Sequence, residues 1–157
     1  MYISRETVTG LRSGETISVI EKHYKKGYVS GTFDMFHIGH LNLLRRAKEQ
    51  CEYLVVGVLS DECVMDSKKH DPVIPLEDRL AIVEACRYVD EVDVTTKELI
   101  PKIAAWEKYH FDAMFTGDDH KDDGWAWDEA LLNERGAEIV FFPYTEKVSS
   151  TMLRTRV

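Results

Sequence analysis

Basic residues are in short supply: 20 Lys and Arg stand against 28 Asp and Glu, a formal net charge of -8 with neutral histidines. A grip on the phosphate backbone of DNA or RNA needs an excess of cations, so this balance argues against a nucleic-acid partner. It leaves room for a small phosphate-bearing substrate, because a few cations placed locally reverse the field inside one cleft. Cysteine is sparse as well. Cys51, Cys63 and Cys86 show no CxxC spacing, and an odd number cannot close as internal disulfides alone, so reduced thiols are expected. No apolar run approaches membrane-spanning length, and the first residues, MYISRETVTG, lack the apolar core of a secretory signal. A soluble, cytoplasmic protein without a membrane partner is the expectation. Neither GxxxxGK[ST] nor GxGxxG occurs, which argues against an ordinary ATPase or dinucleotide oxidoreductase.

What is present is enough for one ordinary domain: 157 residues, 44% hydrophobic and 31% charged. From Tyr28 onward, short apolar runs alternate with stretches of helical periodicity, the pattern of strands joined by crossover helices. Strands are expected near Tyr28–Ser30, Tyr53–Leu59, Glu91–Val94, Ala113–Thr116 and Glu138–Phe142. Helices are expected from Ile38, over Leu76–Arg87 behind Pro75, over Ile100–Tyr109, around Trp125–Glu134 and around Ser149–Arg156. The predicted class is α/β: a Rossmann-like, doubly wound fold with a five-stranded parallel sheet and helices on both faces. Residues 1–26 are polar and read as an N-terminal arm, with the main domain over 27–157. Ligands of such a fold bind beyond the carboxyl ends of the strands, so the functional loops should follow Ser30, Leu59, Thr116 and Phe142.

The segment Gly31-Thr-Phe-Asp-Met-Phe-His-Ile-Gly-His40 lies between an apolar strand and an amphipathic helix. His37 and His40 are three positions apart and share one face once the backbone turns helical. Gly39 between them removes a side chain where a ligand would approach the backbone. Free amides and the positive end of the dipole at a helix start favour an anion there. Two blander readings are a pair of helix-capping or core histidines, and a zinc site, for which no further ligands stand at a persuasive spacing. The combination of strand, turn glycine, paired histidines and helix favours polyphosphate chemistry over both.

This stretch closely resembles the signature GxFDxxHxGH of the cytidylyltransferases, within the HxGH nucleotidyltransferase superfamily. Further segments agree in order: Arg87-Tyr-Val-Asp-Glu-Val92, Gly117-Asp-Asp119 and Tyr144-Thr-Glu-Lys-Val-Ser-Ser-Thr151. The RYVDEV and GDD segments look most like the short bacterial glycerol-3-phosphate cytidylyltransferases, which make CDP-glycerol for teichoic acid or related capsular polymers. The resemblance implies transfer of CMP from CTP to glycerol 3-phosphate, giving CDP-glycerol and pyrophosphate. Alternatives on the same scaffold use phosphoethanolamine or phosphocholine as acceptor, or ATP, as in sugar-phosphate adenylyltransferases and FAD synthetases; a non-catalytic nucleotide-binding module is the remaining option.

The resemblance also implies site residues. His37 and His40 would contact the α- and β-phosphates, with nearby phosphates favouring the cationic imidazole, and Lys68 and Arg87 would complete the catalytic set. Gly31, Thr32, Phe33, Gly39, Asp118, Thr145, Ser149, Ser150 and Thr151 would hold the nucleotide, and Lys69 and Asp119 the acceptor. Lys68 and Lys69 are placed in a polar loop after the second strand, where an ordinary solvated pair is the competing reading. Asp34 either orients the loop or binds a metal ion. Arg79 is assigned to the outer face of its helix. Asp122, Asp123 and Asp128 read as solvated surface, and Trp125 and Trp127 as packing residues. Relatives commonly read RTEGIST[ST] where this chain reads YTEKVSST; Tyr144 replaces an arginine associated with the triphosphate, and Lys147 is expected to supply part of the missing charge. His120 stands where relatives often carry an aromatic residue. Mg2+ is expected to bridge the nucleotide phosphates with few direct protein ligands, and a homodimer is expected.

Overall fold

Apolar runs bounded by polar segments become strands in the computed structural model, which describes residues 4–6, 20–118, 124–143 and 153–154. Two short strands, β1 (Ser4–Glu6) and β2 (Ile20–Lys22), pair antiparallel. The main sheet then begins at β3 (Tyr24–Gly31), followed by α1 (Ile38–Gln50), β4 (Cys51–Leu59), α2 (Asp61–Lys68), α3 (Leu76–Glu84) and β5 (Glu91–Thr95). After a 3-10 turn over Lys97–Leu99 come α4 (Lys102–Tyr109), β6 (Ala113–Gly117), α5 (Ala126–Glu134) and β7 (Glu138–Phe142). All five main strands are parallel, in the order β5-β4-β3-β6-β7. The predicted doubly wound class is the one observed.

Alternation along the strands feeds two cores, one on each face of the sheet. Val29, Val56, Val58 and Phe115 pack against Leu44 and Ala47 of α1 and Val83 of α3. On the other face Tyr28, Val55, Met114 and Ile139 meet Ala105 and Tyr109 of α4 and Leu132 of α5. The sheet changes its direction of winding at β3, which has β4 on one side and β6 on the other. A crevice therefore opens beyond the carboxyl ends of β3 and β6, between the segments that leave them.

Several expectations need correction. The strand expected over Tyr28–Ser30 starts at Tyr24, so the expected arm boundary at residue 26 lies inside β3. The polar stretch expected to be a loop after Leu59 forms α2, capped by Ser60, whose hydroxyl accepts from the Cys63 amide at 3.2 Å. Lys68 is its last residue and Lys69 its left-handed C-cap, with φ 63°. A helix of two turns offers too short a period to be recognised from apolar spacing. The third expected helix starts two residues late, behind Pro101. Of the helix expected over Ser149–Arg156, only Leu153 and Arg154 are described, and both have helical backbone. The three cysteines are free, as expected, and burial pushes the Cys51 thiol up to about 11. Among the described residues no helix is long and apolar enough to cross a membrane.

Gly27, midway along β3, sits where the first core leaves no room for a side chain. A Cβ there would lie 2.6 Å from the Phe115 ring and 2.8 Å from the Cys51 sulfur. Phe115 cannot easily turn away, because it stacks on Phe142 at 5.5 Å and meets Tyr24 edge-on at 5.8 Å. Gly27→Ala is expected to destabilise the fold by about 1–3 kcal/mol, the usual cost of overpacking. Urea unfolding checks this; an unchanged midpoint would mean that Phe115 yields.

Candidate active site

The loop that leaves β3 is held under strain. Gly31 is not left-handed; the left-handed positions fall instead on Phe33 (φ 54°) and Met35 (φ 48°). Such backbone costs a side-chain-bearing residue roughly 1–3 kcal/mol and persists only where surroundings enforce it. Here they do. Phe33 is buried, its ring 5.3 Å from the His40 ring and 6.4 Å from Phe36. Gly31 makes room for it, since a Cβ at that position would approach the Phe33 ring to 3.1 Å. Asp34, 1% exposed, accepts hydrogen bonds from the Val73 and Ile74 amides at 2.8 and 2.9 Å. Of its two expected roles, the structure gives Asp34 that of orienting the loop.

The helix that follows is capped by imidazoles. His37 is the N-cap of α1, and its Nδ1 accepts from the Gly39 amide at 3.0 Å. His40, at the third helical position, returns the bond: its Nδ1 accepts from the His37 amide at 3.2 Å. This is the reciprocal arrangement of a capping box, built from two histidines in place of a hydroxyl and a carboxylate. The two rings stack at 3.9 Å between centroids. The capping reading and the ligand-binding reading are therefore compatible, because they use different nitrogens. A ring nitrogen that accepts carries a lone pair, so the neutral proton sits on Nε2 in each ring. The Nε2 edge of each ring is thereby an N–H donor, at the positive end of a helix.

Burial sets the charge state. Desolvation lowers the pKa of His37. It lowers that of His40 further, to about 3, with His37 beside it adding to the effect and Asp34 opposing it. Without phosphate nearby, burial thus favours the neutral form of both rings.

Arg79 is the residue that sequence spacing misplaced. It is fully buried, where an outer-face position was expected. Its Nη1 donates to the Thr32 carbonyl at 2.8 Å and the Leu59 carbonyl at 2.7 Å, its Nε to the Ile74 carbonyl at 2.8 Å, and its Nη2 to Asp61 at 2.5 Å. One guanidinium thus ties the ends of β3 and β4 to the starts of α2 and α3. The sequence does carry a signal: Arg79 stands three residues after Leu76 and four before Val83, on their face of the helix.

The other expected residues are less closely gathered. Thr32, Phe33, Gly39, His37 and His40 share the loop and helix start after β3. Lys68 and Lys69 are exposed at the end of α2. Arg87 is exposed past α3, over the Tyr88 ring at 5.1 Å, beside a cavity of about 350 Å³ lined by Phe36, Leu41, Ile82 and Cys86. Asp118 is exposed just beyond β6, on the other side of the crevice. Asp119, His120, Asp122, Asp123, Tyr144, Thr145, Lys147, Ser149, Ser150 and Thr151 lie outside the described residues. Among those described, no three His, Cys, Asp or Glu side chains converge on a point that would hold a metal ion.

Two outcomes follow from this geometry. Arg79→Ala strands three part-buried carbonyls and a carboxylate and should cost about 3 kcal/mol of unfolding free energy; Arg79→Lys should recover only part, because one ammonium cannot span four acceptors. Equal stability of all three proteins in urea would refute the clamp. The second concerns pH. Because the fold favours neutral His40, the unfolded chain takes up a proton first as pH drops below about 6.5, and stability declines from there down to about 3. An NMR titration of the free protein should place the His40 imidazole far below the ordinary histidine range. His40→Gln, which keeps a capping acceptor but cannot titrate, should flatten the acid-side loss. A normal His40 midpoint would contradict both.

Residues 28–156 match the sequence pattern of the family described as Cytidylyltransferase-like. The chain is 35% identical over 130 residues to the glycerol-3-phosphate cytidylyltransferase of Bacillus spizizenii, covering 83% of this chain and 95% of that enzyme. It is 37% identical over 131 residues to the ethanolamine-phosphate cytidylyltransferase of Arabidopsis thaliana, covering 79% of this chain and only 30% of that longer enzyme. The lipopolysaccharide core biosynthesis protein of Thermoplasma volcanium GSS1 shares the fold, with a TM-score of 0.68 at 23% identity over 78% of this chain and 99% of that one. With that pattern running from β3 through the paired histidines to the C-terminal segment, the chain belongs to the cytidylyltransferase-like family.

Proposed function

We propose that the protein transfers CMP from CTP to glycerol 3-phosphate, releasing pyrophosphate. A phosphate oxygen of the acceptor attacks the α-phosphorus; the new P–O bond forms as the bond to the β-phosphate oxygen breaks, and the electron pair leaves with pyrophosphate. No covalent enzyme intermediate is needed. The observation that carries the reading is the His37–His40 pair, stacked at 3.9 Å with both Nδ1 atoms committed to backbone amides. Both Nε2–H groups are thereby fixed as donors before substrate arrives, the preorganisation that stabilises charge developing on phosphate oxygens. The nucleotide is taken to arrive as its magnesium complex, the metal belonging to the substrate.

Glycerol 3-phosphate as acceptor is supported by the match along most of the Bacillus enzyme together with the RYVDEV and GDD segments. A second acceptor, phosphoethanolamine, is favoured by the comparable identity to the plant enzyme. Pyrophosphate release from each of four nucleoside triphosphates against several phosphomonoesters decides between them. CTP with glycerol 3-phosphate should turn over fastest; faster release with phosphoethanolamine or with ATP would displace the proposal, and CTP binding without any release would mark a non-catalytic module. His40→Ala should lower kcat by roughly 10²–10³-fold, as loss of one transition-state donor does, while costing only about 1 kcal/mol of stability through the lost cap. Undiminished turnover in this variant would remove His40 from the mechanism.

A further inference from the structure

The carboxylate that steadies the loop after β3 also holds a second segment, one that side-chain packing leaves loose. Asp34 is 1% exposed and stands between the two left-handed residues Phe33 and Met35. Its Oδ2 accepts from the Val73 amide at 2.8 Å and its Oδ1 from the Ile74 amide at 2.9 Å, and the Arg154 guanidinium lies 3.5 Å from Oδ2. Arg79 grips the same turn from its other side, its Nε donating to the Ile74 carbonyl at 2.8 Å. The Val73 side chain is 54% exposed, so the turn is fixed through its backbone polar groups more than through the core. That turn is the far anchor of a short span. Helix α2 ends at Lys68, Lys69 closes it with left-handed backbone and an amide bond to the Met65 carbonyl at 2.9 Å, and residues 70–72 lead directly to Val73. Both lysine side chains are exposed, so their placement comes from the backbone that carries them.

We infer that Asp34 is a positioning residue for Lys68 and Lys69, acting through the Val73 and Ile74 amides, so that one carboxylate sets the lysine-bearing segment against the paired histidines. The inference rests on the reading given under Proposed function and on the lysine roles that the family resemblance implies. Two physical points support it. A carboxylate has two acceptor oxygens and can hold two amides at once, whereas the side-chain amide of asparagine has one. Asp34→Asn therefore keeps the volume and releases one of the two bonds. A reacting group displaced by about 1 Å loses on the order of 10²-fold in rate. Slack at residues 73–74 is thus felt at the lysines without Asp34 touching the substrate.

The competing possibility is that Asp34 braces only the histidine loop. A double-mutant cycle separates the two. Turnover of CTP with glycerol 3-phosphate, or of whichever pair the wild type uses fastest, is measured for four proteins: wild type, Asp34→Asn, Lys68→Ala with Lys69→Ala, and all three substitutions together. Removing the lysines should lower kcat roughly 10- to 100-fold in the wild-type background, and by a factor at least about threefold smaller once Asp34→Asn is present. Amide hydrogen exchange reads the linkage directly. Val73 and Ile74 should be protected in the wild type, and at least one should lose protection in Asp34→Asn while Val29 and Val56, paired in the sheet, keep theirs. A lysine effect within about threefold of the wild-type one, or protection unaltered by Asp34→Asn, overturns the inference. So does a wild type whose kcat is indifferent to loss of both lysines. If Asp34→Asn does not fold, Asp34→Glu, which keeps the charge but shifts the carboxylate by one methylene, takes its place in the cycle under the same criteria. A wild type that turns over no triphosphate with any phosphomonoester would overturn the functional reading and this inference together, whereas normal turnover with additive losses overturns this inference only.

Discussion

Helix α1 has to begin at the middle of the sheet, where β3 ends, and its first amides need acceptors. A serine or aspartate would serve the helix better in isolation. This chain uses the Nδ1 atoms of His37 and His40 instead, at 3.0 and 3.2 Å. The choice turns a structural requirement into a chemical one. An imidazole that accepts on one edge must donate on the other as long as it remains neutral. The cap therefore determines the tautomer, the tautomer makes each Nε2 a donor, and helix geometry stacks the two rings.

Holding that cap in place requires the loop before it to be rigid, and the loop is not at rest by itself. Phe33 and Met35 adopt left-handed backbone without being glycine. The strain is opposed from several directions: the Phe33 ring is enclosed by Phe36 and His40, Asp34 is tied to the amides before α3, and Arg79 holds the Thr32 carbonyl from beneath. Arg79 also bonds the Leu59 carbonyl and Asp61, so the helix that ends at Lys68 is referenced to the same group. The two lysines are thus exposed side chains on a firmly anchored base.

The parallel sheet was legible because its strands are short apolar runs separated by crossover segments long enough to show a helical period. The paired histidines were legible because a three-residue spacing directly after a strand puts both imidazoles on one face of the helix start. What escaped did so for physical reasons. Helix α2 is eight residues long, so its buried pair, Cys63 and Val64, gives no repeat to detect. Arg79 was placed on the outer face by reading the helical period, although its spacing from Leu76 and Val83 puts it on their face; the carbonyls of Thr32, Leu59 and Ile74 that account for its burial come together through the fold alone. The Asp34–Arg154 contact joins residues 120 positions apart in sequence and leaves no local trace. Gly31 was recognised as special for the wrong reason, since it accommodates the Phe33 ring and does not itself turn the chain.

A formal charge of -8 is an unfavourable background for binding a triphosphate. Lining the crevice with permanent cations would answer it, but buried cations without partners are costly. Neutral histidines avoid that cost in the free protein, because desolvation has already removed their protons. In the proposed reaction they would meet the nucleotide as hydrogen-bond donors, and each increment of negative charge on the departing phosphates would strengthen those bonds and favour uptake of a proton by a ring. Uptake has a structural consequence, however: a ring protonated on both nitrogens can no longer accept from the amide that it caps. The same contacts that keep the free site neutral therefore oppose full protonation, and favour return of the neutral, capped state once pyrophosphate has left.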